Sequence, residues 1–424
     1  MIDKELVKRY ILEFQSKPPS NIKKRELNIT PIKGKAISII GPRRVGKTYF
    51  LFSLIDNPER YVYIDFENPI FANFKPEDII NIADIFKELY PDKEPIFLLD
   101  EVQVIEDWER VVRYLLSKNY YVYITGSSSK LLSKEIATHL RGRTITYNIF
   151  NLSFREFLRF KDINFEGKDF YLNYNKIKSL LNEYIKYGGY PEIVLNEDKL
   201  KLLQDYLTTV VSRDIIDRYM IKNEKIINEI LYFAINNYSK YISYNSLHKL
   251  FKQYGKSIHK ITIIKYLSYF EDSLLLFLLK KYSKSIKEII VSPKKVYLID
   301  TGYGIFGNKD ISRDMENIIY LELLRKTNIN PLLEIYYFKD YQQHEIDFLV
   351  KEGNNIKQLI QVSYINNYDE IDKREIRSLL KGYNLFKEYN PELLIITWDY
   401  EDNKIIDNIN IKFIPLYRWL LNND

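Results

Sequence analysis

Cysteine is missing from all 424 residues. Its absence excludes disulfides and thiolate metal sites, and the four histidines are too scattered to suggest zinc. Long apolar runs are missing as well. None approaches the ~18 residues a membrane helix needs, and the longest block, Leu274 to Leu279, suits a buried strand or a helix turn. The first residues, MIDKELVKRYILEF, mix both charges at helical spacing. They lack the basic-then-apolar order of a signal peptide, so a cytoplasmic chain without membrane contact is expected. Repeats and low-complexity linkers are absent too, so domain boundaries must come from motif order.

A mass of 50.9 kDa exceeds one ordinary core and leads to an expectation of two to four domains. With 46% hydrophobic residues the chain has enough apolar material to bury them. Abundant Lys, Glu, Ile and Tyr without cysteine suits a thermophile. Glycine is scarce at 14 residues, yet two stand five apart in GPRRVGKT, which comprises Gly41, Pro42, Arg43, Arg44, Val45, Gly46, Lys47 and Thr48. An apolar strand pattern, Ala36 to Ile40, precedes this stretch, and a helical one, Thr48 to Ile55, follows it. The order matches G-x-x-x-x-G-K-[ST] in its strand–loop–helix setting. Such a loop turns backbone N–H groups toward phosphate oxygens, and the helix N-terminus adds a favourable dipole. Lys47 is then expected on the β- and γ-phosphates of ATP and the Thr48 hydroxyl on Mg²⁺. Arg43 and Arg44 either touch phosphate or face solvent and acidic neighbours.

A second apolar strand, Ile96 to Leu99, ends in Asp100 and Glu101. An acid at the tip of a buried strand beside a phosphate loop is where Mg²⁺ is held, which assigns the ion to Thr48 and Asp100. Glu101 is placed to polarise an attacking water. Further strands, Tyr61 to Asp65 and Tyr121 to Ile124, alternate with helices, which implies a parallel sheet with ligands at its C-terminal ends. Thr125 and Ser127 there either sense a γ-phosphate or form a polar turn, and Asp65 reads as a turn residue or a polar neighbour. Arg141 and Arg143, before a fifth strand from Thr144 to Phe150, either serve a neighbouring subunit's site or lie on the surface.

GPRRVGKT, FLLDEVQ, ITGSSSKLL, LRGR and YGGYP, in this order and over most of the chain, resemble the archaeal P-loop ATPases of the AAA+ superfamily. In that group a nuclease-like domain follows the ATPase. The resemblance implies ATP hydrolysis, with Lys47, Thr48, Asp100 and Glu101 in the corresponding places. It also implies a small helical lid, framed by NLSFREFLRF and YGGYPEIV, with Arg213 as its arginine. The expected class is α/β, with four parts. These are an ATPase core with a helical lead at 1–150, a lid at 151–218, a winged-helix-like domain at 219–287 and a restriction-endonuclease-like domain at 288–424.

The winged-helix reading rests on three short helices followed by two strands and a Lys-rich hairpin, Lys280 to Lys295. Between Tyr238 and Lys287 ten lysines face only Glu271 and Asp272, which favours nucleic acid over mere solubility. Lys252, Lys256, Lys260 and Lys265 are expected near phosphates, with Tyr254 and Tyr266 adding hydroxyl bonds. No arginine is present there to read guanine edges, so DNA binding should be electrostatic and salt-dependent. In the last quarter Glu316 and Asp347 match a nuclease-like metal site, but the (D/E)-x-K triplet reads Gln361-Val362-Ser363. Ser363 cannot supply the lysine's cation, and Lys357 lies about 20 Å from Ser363 along an extended strand. Loss of cleavage is therefore expected.

The leading expectation is Mg²⁺-dependent ATP hydrolysis coupled to conformational change on DNA, with a homo-oligomer as one expected assembly. The alternatives are a slow nucleotide-gated binding module and an ATP-regulated nuclease.

Overall fold

The computed structural model describes residues 3–127, 140–256 and 258–422. It divides into two compact units, Met1–Phe150 and Asn151–Asp424.

The first unit is built on five strands: β1 (Ala36–Gly41), β2 (Tyr61–Asp65), β3 (Ile96–Asp100), β4 (Tyr121–Ser127) and β5 (Thr144–Asn148). They lie in the order β2-β3-β4-β1-β5, every pair parallel. β1 is buried throughout, as a strand with both faces covered must be. Its near-continuous apolar run follows from that burial. Helices α1 (Lys4–Ser16), α2 (Lys47–Phe52), α3 (Asp78–Leu89) and α4 (Trp108–Ser117) accompany the sheet. α4 turns Val111, Val112, Leu115 and Leu116 inward at helical spacing. α1 is tied down by Gln15, whose amide donates to the Tyr61 carbonyl at 3.1 Å. The expected helix to Ile55 stops at Phe52, and β5 stops at Asn148. With only six residues α2 carries a smaller dipole than the sequence pattern suggested.

The second unit begins with helices and ends with a mixed sheet. Ser153 and Glu156 form a reciprocal capping box at the helix Phe154–Phe160. Later come the helices Glu224–Asn236, Tyr244–Gln253 and Lys260–Asp272, with Ser243 capping the second as expected. Strands β6 (Tyr241–Ile242), β7 (Leu276–Leu279) and β8 (Lys294–Leu298) form an antiparallel sheet in the order β6-β8-β7. The hairpin expected at Lys280 to Lys295 takes a different form. β7 and β8 do pair, but their connection holds a helix, Ile286–Val291, capped by Ser285. The overlooked signal was Ser285-Ile-Lys-Glu288, an N-cap pattern reinforced by Lys281 donating to Glu288 at 2.6 Å. Lys294 and Lys295 are buried in β8, so they do not extend a basic wing.

The helix Ile311–Ile329 leads into β9 (Leu333–Lys339), β10 (Glu345–Glu352), β11 (Asn355–Ser363), β12 (Glu392–Thr397), β13 (Asp402–Ile406) and β14 (Ile409–Pro415). Their order is β13-β14-β12-β11-β10-β9, parallel only across β11-β12 and β12-β14. Leu379 and Phe386 of the helix Lys373–Phe386 join Ile346, Leu349, Leu359 and Ile395 of the sheet in one core.

Three motifs distant in sequence meet at the buried carboxylate of Asp300. It accepts from the amides of Gly189 and Gly302, both at 2.8 Å, and from the Asn151 side chain. A Cβ on Gly188, where φ is +78°, would fall 1.4 Å from an Asp300 oxygen. That contact gives YGGYP a structural reason for its glycine. Burial pushes the Asp300 carboxyl up to about 6, and the three donors only partly oppose it. The folded chain therefore keeps a proton the unfolded chain has lost. This contribution is fully present below about 4 and is lost as pH rises through about 6. Asp300→Ala should flatten that dependence and lose amide-exchange protection at Gly189 and Gly302 by about tenfold or more. Unchanged protection at both amides would remove Asp300 as the anchor of these turns.

Candidate functional site

The loop between β1 and α2 is shaped by close packing and two left-handed residues. A Cβ on Gly41 would lie 2.2 Å from the Ile149 carbonyl oxygen, so the first glycine is demanded by the chain beyond β5. Arg44 and Gly46 adopt φ of 64° and 89° and turn the chain sharply before α2. The sequence reading missed the brace beneath them. Buried Arg25 donates to the Val45 carbonyl at 2.7 Å and to the Phe150 carbonyl at 2.6 Å. Nothing in the composition around Arg25 marks it, because its partners are backbone groups.

Lys47 is buried, and its ammonium donates to the carbonyls of Gly41 at 3.2 Å and Pro42 at 3.0 Å. It lies 3.8 Å from a Glu101 carboxylate oxygen. The Thr48 hydroxyl donates to Asp100 Oδ2 at 2.7 Å, and Tyr63 OH donates to the same oxygen at 3.1 Å. The Thr125 hydroxyl donates to the other oxygen, Oδ1, and accepts from the Glu101 amide at 3.1 Å. Three hydroxyls from three elements thus converge on one carboxylate. Burial pushes Asp100 up while these hydrogen bonds pull it down. Burial and the charge of Asp100 hold the Tyr63 phenol well above its ordinary range, so it remains a donor.

Glu101 follows with φ of 51°, a strained left-handed position for a side-chain-bearing residue. Its amide is held by Thr125, and its carboxylate accepts from the Gln103 amide. The strain turns the acid out of the strand direction, beside Lys47. Asp65 accepts from the Glu67 amide at 2.9 Å, the behaviour of a turn residue. Thr125 is wholly buried and committed to positioning Asp100 and Glu101. Ser127 ends β4 opposite Gly41, and its side chain lies outside the described residues, as do residues 128–139.

The structure brings Lys47, Thr48, Asp100, Glu101 and Thr125 together at the C-terminal ends of β1, β3 and β4. Arg43 is half-buried and Arg44 exposed. Arg43 acts electrostatically on Glu67, an acid on the chain that follows β2. Arg141 and Arg143 are exposed before β5, where Thr144 pairs with Ala36. They occupy the opposite end of the strands from the loop, about 16 Å away along β1. Arg213 is exposed in a π-helical segment, Val210–Asp217, of the second unit.

A hydroxyl and a carboxylate 2.7 Å apart supply the hard oxygen donors that Mg²⁺ takes, so Thr48 and Asp100 fit the ion. Among the described residues, no group of three acidic or histidine side chains is disposed to hold a metal ion on its own. Nor is any helix there long and apolar enough to cross a membrane.

A parallel five-stranded sheet whose strand β1, flanked by β4 and β5, opens into this loop defines a P-loop nucleotide-binding fold of the AAA type. Residues 33–158 match the family model described as an AAA domain. Residues 178–306 and 313–419 match two models, each described as a domain of unknown function (DUF8612 and DUF4143). The chain belongs to the family of the uncharacterized protein MJ1544 of Methanocaldococcus jannaschii. The two are 34% identical across 99% of this chain and 96% of that one. An uncharacterized protein of Haemophilus influenzae is 28% identical over 90% of this chain and 93% of its own length. Among solved structures, the Walker-type ATPase of Pyrococcus abyssi is similar with a TM-score of 0.41 and 14% identity, covering 72% of this chain and 95% of that one. Cdc6p from Pyrobaculum aerophilum has a TM-score of 0.25 and 10% identity, covering 75% and 94%. Likeness at these values adds nothing to the family match.

Tyr63→Phe removes one of three hydroxyl donors without changing the packed ring. A hydrogen bond to a charged group contributes about 1.5 kcal/mol, which corresponds to roughly a tenfold change. The Mg²⁺ concentration giving half-maximal nucleotide retention should rise by about that factor, with retention in EDTA unchanged. An unchanged Mg²⁺ requirement would show that Tyr63 does not orient Asp100.

Proposed function

We propose that this protein is a Mg²⁺-dependent ATPase whose turnover drives a conformational change, with DNA as the object of that change. The observation that carries the reading is the carboxylate of Asp100 held by Thr48, Tyr63 and Thr125, next to a strained Glu101 and a buried Lys47. Lys47 would neutralise the β- and γ-phosphate charge, while Thr48 and Asp100 would hold Mg²⁺. The ion, when bound, screens charge on the transferring phosphoryl group. Glu101, turned out of β3, would orient the attacking water and take its proton. Thr125 serves this step by fixing the peptide that carries Glu101, and an additional contact with the γ-phosphate is part of the proposal. Arg141 or Arg143 would act on nucleotide bound by a neighbouring copy in a homo-oligomer, because within one chain both lie at the wrong end of the sheet.

The division of the second unit into lid, winged-helix-like and nuclease-like parts belongs to this proposal, as does a cytoplasmic setting. The order helix, strand, two helices and two strands from Glu224 to Leu298 favours a winged helix. Lys249, Lys252, Lys260 and Lys265 are exposed on it. Lys256 instead pairs with Glu229 and Lys281 with Glu288, so the basic surface is smaller than the lysine count suggests. The buried triplet position in β11, Gln361-Val362-Ser363, makes nuclease action the weakest alternative. A slow nucleotide-gated binding module would use the same pocket and the same basic face.

Glu101→Gln should lower ATP turnover about 10²- to 10³-fold while leaving nucleotide binding within a factor of about three. Retained turnover would sink the mechanism. For DNA, four exposed lysines at phosphates imply a log K against log salt slope of roughly −3 to −4. Anisotropy on labelled duplex should give that slope, and Lys252→Glu with Lys260→Glu should lower it by about two. Binding indifferent to salt between about 50 and 200 mM would reject the interface.

A further inference from the structure

In the second unit a lysine sits where three carboxylates converge. Lys295 lies on β8, and its side chain is 3% exposed. Its ammonium is 2.8 Å from Asp347 Oδ1, 2.9 Å from Glu345 Oε1 and 3.1 Å from Glu316 Oε1. The acids come from β10 and from the helix Ile311–Ile329. The sequence pairs Glu316 with Asp347, and the structure adds Glu345 and Lys295.

The remaining valences are mostly filled. Tyr297 OH donates to Glu316 Oε1 at 2.6 Å, and the Val362 amide donates to Asp347 Oδ2 at 3.0 Å. Lys339 meets Glu345 at 3.3 Å, and the Tyr241 ring lies 5.6 Å from the Lys295 ammonium. Beside Val362, Gln361 is buried, with its Oε1 lacking a hydrogen-bond partner. A lysine ammonium has three N–H donors, and here three carboxylates engage them. None remains to polarise a water. Burial works against the charge on Lys295, but the carboxylates outweigh it and hold the ammonium well above its ordinary value. It therefore stays a cation at any physiological pH.

We propose that the Lys295 ammonium takes the place of a divalent cation within this chain. With that ammonium among them Glu316, Glu345 and Asp347 are not disposed to hold a metal ion; without it their oxygens would be open to Mg²⁺ or Mn²⁺. The geometry makes this substitution permanent, because the cation is tethered to β8 and two lysines already balance most of the acidic charge. A divalent ion could enter only by displacing Lys295 from all three acids at once. The centre is consequently a structural joint between β8, β10 and the helix Ile311–Ile329, with the oxygen ligands of a metal site but no metal chemistry.

The test titrates full-length protein with Mn²⁺ in the absence of nucleotide, by calorimetry and electron paramagnetic resonance. It compares wild type, Glu345→Gln, Lys295→Gln and the double variant Lys295→Gln/Glu345→Gln. Any weak binding at the P-loop is common to all four and is independent of the ATPase reading. Wild type and Glu345→Gln should give the same Mn²⁺ isotherm. Lys295→Gln should gain one ion per chain, at least tenfold tighter than any wild-type binding, and the double variant should lose that gain. A wild-type ion that Glu345→Gln abolishes would overturn the proposal, as would a folded Lys295→Gln with no gain. If circular dichroism finds Lys295→Gln unfolded without metal, its refolding on addition of Mn²⁺ becomes the readout. A Lys295→Gln chain that stays unfolded in Mn²⁺ also overturns the proposal, and the wild-type comparison with Glu345→Gln decides independently of that variant.

Discussion

A carboxylate taken out of water must be met by donors or by a cation, and this demand organises both units of the chain. In the first unit the acid is Asp100, at the end of β3. Its oxygens draw in Thr48 from α2, Tyr63 from β2 and Thr125 from β4. Those bonds fix the end of the phosphate loop against the neighbouring strand tips, and through the Glu101 amide they also fix the peptide that carries the second acid. The arrangement of the loop and strand tips thus follows from satisfying one buried side chain. In the second unit Asp300 plays the corresponding part with backbone amides and Asn151, and Asp347 with Lys295.

How much of this could be read from the chain depended on whether the cause was local. The strands Tyr61–Asp65 and Ile96–Asp100 were legible because continuous apolar runs of that length have few other solutions in a parallel sheet. That Lys47, Thr48, Asp100 and Glu101 would meet was legible because the loop motif and the acid-tipped strand fix where those side chains fall. Tyr63 and Arg25 were not, since a tyrosine in a strand is normally core and an arginine bound to carbonyls leaves no partner to find by sequence. Gly41 was read as a phosphate-loop glycine, yet its immediate constraint is the Ile149 carbonyl. Thr125 was read as a γ-phosphate sensor or a polar turn, and the structure shows its hydroxyl engaged by Asp100 and the Glu101 amide.

The basic segment teaches the opposite lesson. A run of lysines is visible in any composition scan, but its meaning depends on which ammonium groups reach water. Lys256 and Lys281 are turned to glutamates, and Lys294 and Lys295 are buried in β8. The helix Ile286–Val291 occupies the turn where a flexible basic wing was expected, and it exposes Ile286, Ile290 and Val291 instead. Charge counted along a chain therefore overstates charge available to a polyanion.

Asp100 and Asp347 illustrate how the choice of partner decides what an acid can do. The donors on Asp100 are neutral hydroxyls, which bring no opposite charge to the carboxylate. The partner of Asp347 is an ammonium already shared with two other acids, so its charge is spent within the fold. Removing a hydroxyl from the first site weakens an open centre by the modest worth of one hydrogen bond. Removing the ammonium from the second leaves buried acids without a counter-charge, a far larger penalty unless another cation arrives. The same side-chain type thus meets neutral hydroxyls in one unit and an ammonium in the other, and that choice of donor decides whether its charge is cancelled within the fold.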